Sequence, residues 1–139
     1  MVRIRPAQPT DLPAISALDR RETGADKPEY WREMLAPERV FLVAETENGA
    51  LAGFIAGEIR AWEFGQPAAG WVFAIQIDPK LRLKGIGSDL FAAIVARFKA
   101  RDVTRVRTLV DRKDHLILSF FRAQGMVAGP SLQLDMDVT

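Results

Sequence analysis

The chain has 139 residues, with 19 Lys plus Arg against 18 Asp plus Glu, one His, one Tyr and no Cys. Without a thiol there is no disulfide framework, cysteine nucleophile or thiolate metal site, and the lone His115 cannot build a multi-histidine metal centre. A formal net charge of +1 supplies no electrostatic footprint for nucleic acid or an anionic membrane, and no apolar run approaches the roughly 18 residues of a spanning helix. Met1–Pro6 lacks the apolar stretch of a secretory signal, so a cytoplasmic location is expected. In chain order, Val2–Arg5 reads as a short strand, and Thr10 and Asp11 offer caps to a helix carrying Leu12, Ile15 and Leu18 at helical spacing. Asp26–Glu29 has the form of a capping box with Pro28 near its first position, and Pro37 closes the second helix after Tyr30, Trp31, Met34 and Leu35.

Arg39–Thr46 and Leu51–Trp62 are β-rich runs joined at Asn48-Gly49, a pair suited to the positive φ angles of a tight hairpin. After a break at Gly65–Gly70, the apolar run Trp71–Ile77 predicts a central strand buried on both faces and ended by Asp78-Pro79. Leu90, Phe91, Ile94, Val95 and Phe98 mark a long amphipathic helix whose basic C-terminal end complements its dipole. Arg105–Val110 predicts a further strand and Leu116–Ala123 a helix closed by Gly125, while Leu132, Leu134, Met136 and Val138 alternate with polar residues as a last strand. With no linker or repeat, residues 1–139 read as a single domain of α/β (α+β) type, a mixed sheet covered by helices.

Between the apolar strand and the long helix lies Asp78-Pro79-Lys80-Leu81-Arg82-Leu83-Lys84-Gly85-Ile86-Gly87-Ser88. Backbone N–H groups at a helix N-terminus favour an anion such as a pyrophosphate, and Gly85 and Gly87 permit close backbone approach. A tight turn is the alternative reading. The loop has neither the full P-loop pattern nor that of a dinucleotide fold.

Arg82-x-x-Gly85-x-Gly87 resembles the Gln/Arg-x-x-Gly-x-Gly/Ala motif of the GCN5-related N-acetyltransferases. The segment Asp114–Met126 is similar to that family's Asn-x-x-Ala-x-x-x-Tyr-x-x-x-Gly-Phe, with Asp114 for Asn, Ile117 for Ala, Phe121 for Tyr and Met126 for Phe. Ile4-Arg5-Pro6-Ala7 followed by Thr10-Asp11 matches the family's opening, so the resemblance covers nearly the whole chain. It implies an acyl-CoA N-acyltransferase fold with about four helices around a mixed sheet, and direct transfer of an acetyl group from acetyl-CoA to a primary amine. The backbone of Ile75, Gln76 and Ile77 is then expected to pair with the pantetheine arm. Residues Arg82, Leu83, Lys84, Gly85, Ile86, Gly87 and Ser88 cradle the pyrophosphate, Asp114 stands near the pantetheine, and Phe121 stands near the thioester sulfur.

Phe121 has no proton to give a leaving thiolate, and no carboxylate lies between Gly70 and Ile77. Glu58 and Glu63 are the carboxylates on or near the third strand, and Glu58 is the candidate base, with an ion pair to Arg60 as the alternative role. Tyr30 is the only phenol and reads as core or groove wall; Gln76 could orient a water. Trp62, Phe64 and Trp71 could wall an acceptor pocket, with Trp31 on the helix that serves this family as a lid and core packing the alternative. A CoA-binding module without turnover is the competing function, and a longer acyl donor a further one. The alternating last strand or the aromatic break could supply a homodimer contact, with a monomer the alternative.

Overall fold

Strand and helix patterns alternate along the chain, and the computed structural model, which describes residues 1–61 and 64–139, follows that alternation. Strand β1 is Val2–Pro6, helices α1 and α2 are Leu12–Thr23 and Pro28–Glu33, and strands β2, β3 and β4 are Arg39–Thr46, Leu51–Arg60 and Ala69–Ile77. Helix α3 is Ile86–Lys99, β5 is Val106–Thr108 and α4 is His115–Ala123. The chain divides into two compact units, Met1–Leu109 and Val110–Thr139. The first holds a mixed sheet in the order β1-β2-β3-β4-β5, antiparallel from β1 to β4 and parallel between β4 and β5. Four helices and a mixed sheet of five strands among the described residues match the expected fold class.

Period-2 alternation assigns the faces of the sheet. Phe41 and Val43 of β2 and Phe54 and Ala56 of β3 point to one face, where Ile15 and Leu18 of α1, Trp31 of α2 and Met34 complete a core. Trp31 is fully buried among aromatic rings, 5.0 Å from Phe54 and 5.6 Å from Phe41 between centroids, which is the packing role weighed above. On the other face α3 buries Leu90, Ile94 and Phe98 completely, each worth about 1.5–3 kcal/mol of transfer free energy. Gly70 permits that close seating, since a Cβ there would stand 2.3 Å from Cδ2 of Phe98.

Several local expectations are corrected. In the β2–β3 turn only Gly49 takes a positive φ (84°), and its N–H donates to the Thr46 carbonyl. Asn48 therefore does not adopt the doubly left-handed turn. Helix α2 starts at Pro28 on Lys27 with no side-chain cap, because Asp26 pairs with Arg20 instead. Strand β4 is buried only from Ala69 to Val72; from Phe73 onward it is exposed or half-buried. The last predicted strand is not formed, and residues 127–139 carry no strand or helix. An alternating pattern makes a segment competent to be a strand, yet its backbone groups still need a neighbouring edge.

Candidate functional site

The register of β4 explains its change in burial. Ala56 faces Ala74 and the next residue, Gly57, faces Val72, so Phe73 is an extra residue, a β-bulge on β4. Pairing with β5 stops at the same place, its last pair being Val72 with Thr108. A bulge bends its strand and increases the local twist, which carries residues 73–77 away from the line of β5. Among the described residues no strand pairs with that edge of Phe73–Ile77. Ile75, Gln76 and Ile77 thus remain bonded to β3 on one side and present an open backbone edge on the other. Nothing in the apolar run Trp71–Ile77 distinguishes Phe73 from its neighbours, so the bulge was not readable from the sequence.

Past Ile77, Asp78 accepts from the Lys80 N–H at 3.0 Å and starts a single 3-10 turn, Pro79–Leu81. Leu83 takes φ 66° and Gly85 φ 80°, so the loop turns twice through the left-handed region before α3 begins at Ile86. Gly85 is the helix N-cap with no side-chain cap, and the first N–H groups of a helix lack intrahelical acceptors. An uncapped helix start behind a tight loop fits an anion in both geometry and charge. Leu83 and Lys84 are exposed, and Arg82 is ion-paired with Glu22 of α1, while Arg21 lies 3.8 Å from Asp78. The last turn of α1 is thereby tied to the start and the middle of the loop. Glu22 and Arg21 were missed by the sequence reading, because the pairing spans about sixty positions.

Glu58 sits on the sheet face covered by α1 and α2, as Phe54 and Ala56 do. Its carboxylate is 2.9 Å from Arg39 Nε, its cross-strand neighbour, and 3.7 Å from Arg60. Arg39 also donates to Met34 Sδ at 3.1 Å. The guanidinium of Arg60 lies 5.3 Å from the ring centre of Trp71, the residue facing Glu58 on β4. Tyr30 is at the margin of this face; burial pushes its phenol above the ordinary value, Arg39 opposes the shift, and Asp19 and Glu58 add to it. Asp19 is a buried carboxylate the sequence reading did not single out. It accepts from Trp31 Nε1 at 3.1 Å and has Lys27 Nζ at 3.6 Å. Phe64 is almost fully exposed, while Trp62 and Glu63 lie outside the described residues.

In the second unit Asp114 caps α4, its Oδ1 accepting from the Ile117 N–H at 3.1 Å. His115 beside it is exposed, and Phe121 is buried, in edge contact with Phe120 at 5.2 Å. A cavity of about 230 Å³ in the first unit lies away from the loop, among Ala7, Met34, Pro37, Arg39, Arg97 and Arg101, at the end of the sheet where β2 begins. It shares no residue with the open β4 edge.

The fold recurs in solved structures. An aminoglycoside 6'-N-acetyltransferase, AAC(6')-Ih from Acinetobacter baumannii, aligns with TM-score 0.86 at 16% identity over 100% of both chains. AAC(6')-Iy in complex with CoA gives 0.86 at 16% identity over 99% of this chain and 95% of that one. A transcriptional regulator from Bacillus halodurans C-125 gives 0.83 at 18% identity over 99% and 100%. No curated protein matches the sequence. The sequence model of the acetyltransferase (GNAT) family matches residues 7–126. That match spans the β4 edge, the loop and α4, and the chain belongs to the acetyltransferase (GNAT) family.

Proposed function

We propose that the chain is an N-acetyltransferase of one domain, residues 1–139, that moves an acetyl group from acetyl-CoA directly to a primary amine of a small molecule, peptide or protein. The observation that carries this reading is the open edge of Phe73–Ile77 running into an uncapped helix start at Gly85. An extended pantetheine arm needs such an edge, and a pyrophosphate needs such a helix start. In this reading Ile75, Gln76 and Ile77 bond the pantetheine amides, and the backbone of Arg82–Ser88 holds the pyrophosphate. Arg82 exchanges Glu22 for a phosphate oxygen. Asp114 and Phe121 are assigned to the cofactor by the motif resemblance alone.

The neutral amine attacks the thioester carbonyl, and a β4 N–H donates to the oxyanion that forms. The C–S bond then breaks, the thiolate takes a proton from water, and the new amide nitrogen loses one to water. Glu58, ion-paired with Arg39, takes that last proton through water. The test is CoA release from acetyl-CoA across a panel of primary amines. Saturable turnover with at least one amine supports transfer.

A second reading, a CoA-binding module, is favoured by Phe121, which carries no proton, and by the absence of any ionisable side chain in residues 69–77. Acetyl-CoA binding with no turnover across the panel would establish it instead. The solved relatives named for aminoglycosides make those polyamines sensible first members of the panel.

A further inference from the structure

Glu58 belongs to a row of residues that crosses the sheet on the face of Phe54 and Ala56. Its neighbour on β2 is Arg39, its neighbour on β4 is Trp71, and next to Trp71 on β5 stands Arg107. Arg60, two positions along β3, lies on the same face. These positions bring three arginines to one carboxylate. The two oxygens of Glu58 are shared unequally: Arg39 Nε is 2.9 Å from Oε2, whereas Arg60 Nε is 3.7 Å from Oε1. Arg39 is half-buried and held a second time by Met34 Sδ. Arg60 is 52% exposed, and its guanidinium lies over the Trp71 ring at 5.3 Å from the centre. An arginine placed over an indole and only loosely ion-paired keeps its planar donor fork turned to a further anion. Trp71 stands two residues, about 7 Å of strand, before Phe73, where the open edge of β4 begins.

We propose that this row selects the acceptor: the amine substrate also carries a carboxylate or phosphate group, which Arg60 binds above Trp71 while the amine points toward the β4 edge. The inference rests on the acetyltransferase reading and names the acceptor class of that same site. A row with more guanidinium than carboxylate attracts an anion and repels a polycation. The guanidinium fork takes either anion through two parallel N–H···O bonds, and the indole gives the carbon chain between amine and anion an apolar wall. Arg39 completes the arrangement. Because it keeps the closer ion pair with Glu58, Arg60 can turn to the substrate without leaving that carboxylate unpaired.

Two readouts separate the acceptor class from transfer itself. Turnover is CoA release from acetyl-CoA with glycine, 4-aminobutyrate, 6-aminohexanoate and 2-aminoethyl phosphate, each set against the alkylamine of matching length and against spermidine. For the best anionic amine kcat/KM should exceed that of its neutral counterpart about tenfold or more, and Arg60→Gln should bring the ratio to within about threefold. Arg60→Glu should move the preference toward spermidine. Binding is followed at the Trp71 Nε1–H by NMR titration of the same amines into the protein with CoA present, where there is no acetyl group to transfer. Saturable shifts from an anionic amine, weakened about tenfold in Arg60→Gln and accompanied by no turnover, would uphold the anion site and refute the transferase. A neutral amine or spermidine turned over as well as every anionic amine would overturn the anion site and leave acetyl transfer standing. With no turnover at all, failure of every anionic amine to give a saturable shift would overturn it too.

Discussion

Gly70→Ala tests how α3, the helix that follows the loop, is seated on the sheet. The added Cβ would stand 2.3 Å from Cδ2 and 2.5 Å from Cε2 of Phe98, against an ordinary carbon–carbon contact of about 3.5–4.0 Å. Phe98 is fully buried and cannot swing into solvent. The ring or the helix must therefore shift by about 1 Å or more, and overpacking of this kind typically costs about 1–3 kcal/mol. For a chain of this length that is a fall in Tm of roughly 3–10 °C, using the usual unfolding entropy per residue. Denaturant unfolding followed by circular dichroism measures it, with an unchanged slope showing that the fold is kept. Phe98→Leu in the Gly70→Ala background should restore part of the loss, since the smaller side chain vacates the space. A Gly70→Ala protein within 0.5 kcal/mol of wild type, the roughly neutral range for surface changes, would refute close packing of α3 on β4.

Three further outcomes follow from named contacts. Trp31→Phe removes the indole N–H that donates to the buried Asp19 carboxylate, leaving it the Lys27 ammonium at 3.6 Å, and should cost about 1–3 kcal/mol in urea unfolding, the range for a buried acceptor that loses a donor; an effect under 0.5 kcal/mol would contradict it. Hydrogen bonds from Arg5 hold the Asp11 and Glu45 carboxyls below their ordinary values, so their stabilisation is present above the ordinary carboxylate range and lost as pH falls through the folded values. Arg5→Met should accordingly lower Tm at pH 7, with the gap to wild type narrowing below about pH 4; a gap constant from pH 7 to pH 3 would count against it. Once an amine acceptor is found, Glu58→Gln should lower kcat about tenfold or more if Glu58 accepts the amide proton, and an unchanged kcat removes Glu58 from the chemistry.

How much of this was legible in the sequence depended on the range of the interaction. The strands β2 and β3, α3 and the glycine-bearing loop rest on local periodicity and turn chemistry, and they stand within a residue or two of where the pattern puts them. The bulge at Phe73 depends on how β4 registers against β3, and the pairing of Arg82 with Glu22 on how α1 approaches the loop. Neither leaves a local mark. The last strand failed for a related reason: Leu132–Val138 has the alternation of a strand, but a neighbouring edge to pair with is not written in the segment itself.

The claim that β4 and its loop form a cofactor site is tested most directly by calorimetric titration of acetyl-CoA into the wild type and into Gly85→Trp. The bulky side chain at a φ of 80° strains the helix cap and crowds the proposed pyrophosphate path. One site per chain should be seen in the wild type, displaced by CoA, with affinity lost in a Gly85→Trp protein that remains folded. No saturable heat in the wild type, or equal affinity in the two proteins, would contradict the account.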